Sequence, residues 1–128
     1  MVARILRLGT ERIRGEGLRI GTVRHPPRGV PKEKHASGNW YDVWFPNLAP
    51  SAQTVKLGQQ ADTEREWAAF ARTYTREMQA PGNARALDLL AALSHQANFS
   101  VGCYCADEAR CHRGILRALL AARGAKLR

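Results

Sequence analysis

Two short segments, Arg4–Leu8 and Leu18–Val23, alternate apolar with polar residues as half-buried strands do. A third, Phe99–Cys105, returns to strand character only after two long helical stripes. That order constrains the fold more than any other feature of the chain. A strand that rejoins a sheet after helices runs most readily parallel to its neighbours. The succession strand, strand, helices, strand, helix therefore predicts an α/β fold: a small, mostly parallel sheet flanked by helices, in a single domain over residues 1–128. A chain of this length builds one core.

Between the first two strands, Gly15-Glu16-Gly17 reads as a connection. Arg24 to Lys34 carries Pro26, Pro27, Gly29 and Pro31, too broken for regular structure. Asn39–Phe45 is apolar and aromatic, open between a short strand and a helix, and Pro46 ends it. After Pro50 the character turns helical. Asp62-Thr63 with Glu66 forms a capping box, and Trp67, Phe70, Ala71, Tyr74 and Met78 follow at helical spacing. Pro81-Gly82 stops that helix, Asn83 is the expected cap of the next, and Leu87, Leu90 and Leu93 form its stripe. The last helix begins near Cys111, turns Ile115, Leu116, Leu119 and Leu120 inward, and ends at Gly124.

Composition narrows the partners. Twenty Lys and Arg face eleven Asp and Glu, a formal charge of +9, with basic residues concentrated in the first 34 positions and the last turns. Such a chain attracts anions, although a basic soluble surface accounts for the balance equally well. No stretch approaches the roughly 20 apolar residues of a membrane span. Arg4 and Arg7 interrupt the N-terminal apolar run, against a secretory signal. The three cysteines lie within nine positions, unlike a disulfide framework, which points to a cytoplasmic location. The aromatics near Trp40–Phe45 suit either core packing in a monomer or the face of a homodimer.

The candidate site is Cys103 to Arg113, where three thiols, two carboxylates, an imidazole and two guanidinium groups fall within eleven residues. It lies at the carboxyl end of a strand and the start of a helix, the edge where open α/β sheets bind ligands and where free N–H groups favour an anion. A thiol in that first turn, beside His112 and Arg113, would have a lowered pKa, so Cys111 is the first candidate nucleophile. His112 and Glu108 are the candidate proton carriers. The second candidate segment is Arg24–Lys32, which leaves a strand at the same edge if the strands are parallel. Arg24 and Arg28 would then converge with Arg113 on one anion, with His25 a further acid or base.

Other chemistries fit less well. Cys105 is followed by Arg110, one position short of a phosphatase-type loop. A metal site would have to use Cys103, Cys105, Cys111 and His112, but adjacent Cys and His rarely point at one ion and no CxxC pair exists, so neither metal nor cofactor is expected. Cys103 and Cys105 read instead as small buried strand residues. A reversible Cys105–Cys111 pair needs sulfur atoms within bridging distance.

Taken together, Arg24-His-Pro-Pro-Arg-Gly-Val-Pro-Lys-Glu33, Trp44, Leu48-Ala-Pro-Ser51, Trp67, Phe70, Tyr74, Glu77 and the Cys111-His-Arg113 helix start resemble the YeaO-like proteins, the domain of unknown function 488 family. The resemblance spans nearly the whole chain and implies a compact α/β domain of prokaryotic cytoplasm, with no established reaction. The family commonly reads Asp-Arg-Leu-Trp-Pro-Arg-Gly where this chain has Val23-Arg-His-Pro-Pro-Arg-Gly29. Arg24, Arg28 and Gly29 carry over, and the acid and the tryptophan do not. If that acid is a base elsewhere in the family, His25 or Asp107 stands in for it here, or the activity is absent. The functional expectation is a small anionic ligand carrying phosphate or carboxylate, with thiol- or acid/base-dependent catalysis left open. The alternative is a non-catalytic, basic nucleic-acid-binding module with a steep salt dependence.

Overall fold

The computed structural model describes residues 1–128. Four strands, β1 (Ala3–Arg7), β2 (Leu18–Gly21), β3 (Val43–Trp44) and β4 (Phe99–Cys103), form one sheet in the order β1-β4-β2-β3. Every pairing is parallel. The last strand therefore inserts between the first two, pairing Arg7 with Cys103 on one side and Gly21 with Gly102 on the other. All five β4 residues are buried, as a central parallel strand requires. The α/β expectation holds.

The helices are α1 (Ala52–Gln59), α2 (Glu64–Met78), α3 (Pro81–Leu93) and α4 (His112–Ala122). None is long and apolar enough to cross a membrane. The helical character expected after Pro50 resolves into two helices, because Ser51 caps α1 by accepting the Thr54 N–H. The capping box of α2 is present, with Thr63 and Glu66 exchanging hydrogen bonds of 3.1 Å. Asn83, in contrast, does not cap α3. Pro81 occupies the first turn, where its missing N–H costs nothing, and Asn83 donates back to the Glu77 carbonyl (3.1 Å), joining α2 to α3. Leu87 and Leu90 are buried while Leu93 is exposed, and Ala91 takes its place in the core. Gly124, at φ +79°, ends α4 as expected.

One core joins Ala3, Ile5, Ile20, Phe99 and Val101 of the sheet to Phe70, Tyr74, Met78, Leu87, Leu116 and Leu120 of α2, α3 and α4. Side chains alternate along a strand, so Arg19 lies on the opposite face from Ile20. There loops, not helices, provide the cover. Arg19 is fully buried, donates through Nη1 to the Thr10 and Asn39 carbonyls (2.8 and 2.7 Å), and forms an ion pair with buried Glu16 at 2.9 Å. Gly17, at φ +79°, lets the chain enter β2 where any Cβ would sit 1.9 Å from the Asn98 carbonyl oxygen.

Removing one partner of a buried ion pair strands the other charge. Arg19→Met is expected to cost about 3–5 kcal/mol in urea unfolding, whereas Arg12→Ala, which breaks the exposed Arg12–Asp42 pair, should cost less than about 1 kcal/mol. Equal losses would show that Arg19 does not anchor the loop face.

Candidate functional site

The carboxyl ends of β1, β2 and β4 open into one cleft of about 950 Å³. Arg7 to Thr10, Val23 to Arg28, Cys103 to Cys105 and Arg110 to His112 line it, with Trp40, Trp67 and Phe70 among its walls. The two segments singled out in the sequence meet here because the strands that carry them are parallel and adjacent. They are also stitched together. Tyr104 donates its hydroxyl to the His25 carbonyl (2.9 Å), and His112 Nε2 lies 2.7 Å from the Thr22 carbonyl oxygen.

The three thiols sit on the floor in unequal surroundings. Cys103 and Cys111 are buried and Cys105 is exposed. Cys103 and Cys105 have sulfur atoms 3.7 Å apart. Only one of three adjacent thiols ionises readily, because a second negative charge beside the first is strongly opposed. Hydrogen bonds from Cys103 and then Cys111, aided by the charge of Arg113, hold Cys105 well below the ordinary thiol range. Cys111 is pushed far upward by its hydrogen bonds to Cys103 and Cys105 and by burial. Cys105 is thus the exposed thiol and the one whose ionisation its neighbours favour, where the sequence pointed to Cys111 and placed Cys105 inside a strand.

His112 is buried, and burial lowers its pKa. A carbonyl only accepts, so Nε2 carries the proton given to Thr22 and Nδ1 keeps its lone pair, 3.9 Å from the Cys111 sulfur. Arg113 is also buried, donates to the Ala106 carbonyl (3.4 Å), and leaves Nε without a partner. It lies beneath the loop and is not among the residues facing the cleft. Glu108 turns to Arg117 with contacts of 2.6 and 3.0 Å, and that pairing lowers its pKa. Asp107 accepts the Ala109 N–H and shapes the turn at 108–110.

Arg24 reaches the cleft, but most of its guanidinium is already committed. Nε donates to Pro50 (2.9 Å) and Nη2 to Pro46 and Ala49 (3.0 and 3.1 Å), leaving Nη1. Arg28 and His25 are exposed in the lining. Reading the sequence missed two contributors, Arg7 and Trp67, while Arg110 lay within the segment it singled out. Arg7 faces the cleft and donates to the Tyr104 carbonyl at 3.1 Å. Arg110 lies 5.5 Å from the Trp67 ring centroid, a cation–π pair at the rim. Trp67, expected in the core, is half-buried and forms a wall: it stacks on Phe70 (ring centroids 4.7 Å apart) at the N-terminal end of the α2 stripe, with its other side turned to the cleft.

Fold and site define a small, all-parallel α/β protein with a thiol and imidazole cluster on the floor of a basic, aromatic-walled cleft. The chain belongs to the DUF488 family: residues 3–124 match the family model described as the active DUF488-N3 subclade. No curated protein and no solved structure matches it.

Iodoacetamide applied to reduced, chelator-treated protein should alkylate Cys105 at least about tenfold faster than Cys103 or Cys111. Because its thiolate is favoured, that rate should hold between pH 8 and about pH 6, where an ordinary thiol loses about tenfold per unit. Peptide mapping by mass spectrometry reads both effects. Cys111 reacting first would reverse the assignment.

Proposed function

We propose that the cleft binds a small anionic ligand bearing phosphate or carboxylate, and that the protein carries out thiol-dependent chemistry on it. The observation that carries this reading is the convergence of two loops, Arg24–Arg28 and Cys105–Cys111, on one cleft at the carboxyl edge of a parallel sheet. Arg28 and Arg110, exposed in the lining, supply charge at the mouth. Arg24 contributes its remaining Nη1 donor. Arg113 acts through its buried charge, favouring the thiolate of Cys105.

In this reading Cys105 is the nucleophile and Cys103 and Cys111 support its negative charge. His112 Nδ1 accepts or returns a proton at the floor. Glu108 keeps the loop in shape through Arg117.

A ligand that binds only the folded state raises its melting temperature, by an amount equivalent to about 2.7 kcal/mol at a hundredfold excess over Kd. Phosphate, pyrophosphate or a short dicarboxylate should stabilise the wild type in a thermal-shift assay, and Arg28→Ala should lose most of that shift. Arg28 makes no internal hydrogen bond, so its replacement tests binding without loosening the fold. Stabilisation by oligonucleotides alone, equal in both proteins and abolished by salt, would replace this reading with a polymer-binding one.

A further inference from the structure

We propose that Cys103, Cys105, Cys111 and His112 together hold one thiophilic metal ion, such as zinc, on the floor of the cleft, in a form of the protein distinct from the thiol-reactive one. This goes beyond the anion reading, since it gives the same floor a second class of ligand. The ligand atoms of Cys103, Cys111 and His112 already lie within 4.8 Å of one another, and all three residues are buried. Cys105 adds a third sulfur, the fourth donor, 3.7 Å from that of Cys103. Zinc–sulfur bonds of about 2.3 Å in a tetrahedron place neighbouring sulfurs about 3.8 Å apart. The contact of 3.9 Å between Cys111 Sγ and His112 Nδ1 is close to the corresponding sulfur–nitrogen edge. Cys103, Cys111 and His112 are thus grouped already, and rotation of the exposed Cys105 side chain toward them would supply the fourth donor.

Local backbone geometry explains why adjacent Cys and His reach one point. Cys111 is the residue before α4, extended at φ −139° and ψ 149°, and His112 is the first helical residue. The chain changes conformation between them, so their side chains need not diverge as consecutive helical residues do. The imidazole is oriented as a metal ligand requires. Its Nε2–H is fixed on the Thr22 carbonyl, which leaves the Nδ1 lone pair facing the sulfurs.

Charge points the same way. Three thiolates and a neutral imidazole around a divalent cation leave one net negative charge. Arg113, buried with an unpartnered Nε, supplies the matching positive charge next to the loop. Sulfur and nitrogen donors without a carboxylate select zinc or monovalent copper over magnesium or calcium. Exposed Cys105, at the cleft surface, gives the ion its way in. Binding releases the remaining thiol protons to solvent and forms sulfur–metal bonds, with no change of oxidation state. With Cys105 coordinated, its sulfur no longer attacks a ligand, so metal loading and thiol reactivity exclude each other.

The test is titration of the reduced, metal-free full chain with cobalt(II) under argon. One equivalent should produce the intense visible bands of tetrahedral cobalt and a thiolate-to-cobalt charge-transfer band, and zinc should bleach both. Cys105→Ser should keep the one-to-one stoichiometry with weaker charge transfer and affinity lower by at least about tenfold. Should Cys111→Ser or His112→Asn fail to fold, the wild type alone still decides: one equivalent of zinc should slow alkylation of Cys105 by about tenfold or more. Only the weak spectrum of hydrated cobalt, or an alkylation rate unchanged by zinc, overturns the proposal. Phosphate binding by the metal-free protein is read separately through Arg28→Ala, so either proposal can fail without the other.

Discussion

The Arg24 guanidinium donates to the carbonyls of Pro46, Ala49 and Pro50, and much of the molecule is arranged around that contact. A turn with two prolines has few N–H groups with which to bond its own carbonyls, so an outside donor must satisfy them. On the far side of the turn, Tyr74 donates to the Leu48 carbonyl at 2.7 Å. Glu77 accepts from the Ser51 N–H and from the Ser51 and Thr54 hydroxyls at 2.7 to 2.9 Å. Those hydrogen bonds outweigh the cost of its partial burial, and Glu77 remains a carboxylate below its ordinary range. Arg24, the 46–51 turn and α2 thus form one polar girdle, which fixes the α1 wall against the end of β2.

The floor of the cleft depends on a second set of constraints, from β4. Its central place in the sheet brings Cys103 to the edge between the ends of β1 and β2. The chain then loops out and returns as α4, close enough that a Cβ on Gly114 would lie 2.5 Å from the Glu108 carbonyl oxygen. Tight return of the loop packs Cys111 and His112 beside Cys103. Neutral sulfur makes weak hydrogen bonds, so three thiols and an imidazole gathered in this way contribute little to stability. Their convergence is better explained by what they bind or attack.

The fold was legible in the sequence because it rests on element order and periodicity: two early strand segments, a helical stripe for α2, and the late return to a strand at Phe99. Even so, β2 buries Arg19 and exposes Leu18, against its apolar–polar alternation. Convergence of the two loops followed from parallel strands alone. Division of labour within the site did not, for particular reasons. Arg24 looked like an anion ligand, and nothing local to it reveals hydrogen bonds to carbonyls 22 to 26 residues away. Cys105 looked like a strand residue because β4 ends two positions earlier. The objection to a metal site rested on adjacent Cys and His diverging and on the lack of a CxxC pair. Spacing alone does not show that the backbone changes from extended to helical between Cys111 and His112. Ser51 as a cap was hidden because α1 lacks a strong apolar stripe, burying only Thr54.

The central claim is that the loops at Arg24–Arg28 and Cys105–Cys111 form a single ligand site, and amide chemical shifts during a pyrophosphate titration of isotopically labelled protein test it most directly. The account predicts that amides of both loops, with the Trp40 and Trp67 indole N–H signals, move together along one binding curve. Shifts confined to one loop, or spread over the basic N-terminal segment and the last turns while the cleft stays still, would contradict it.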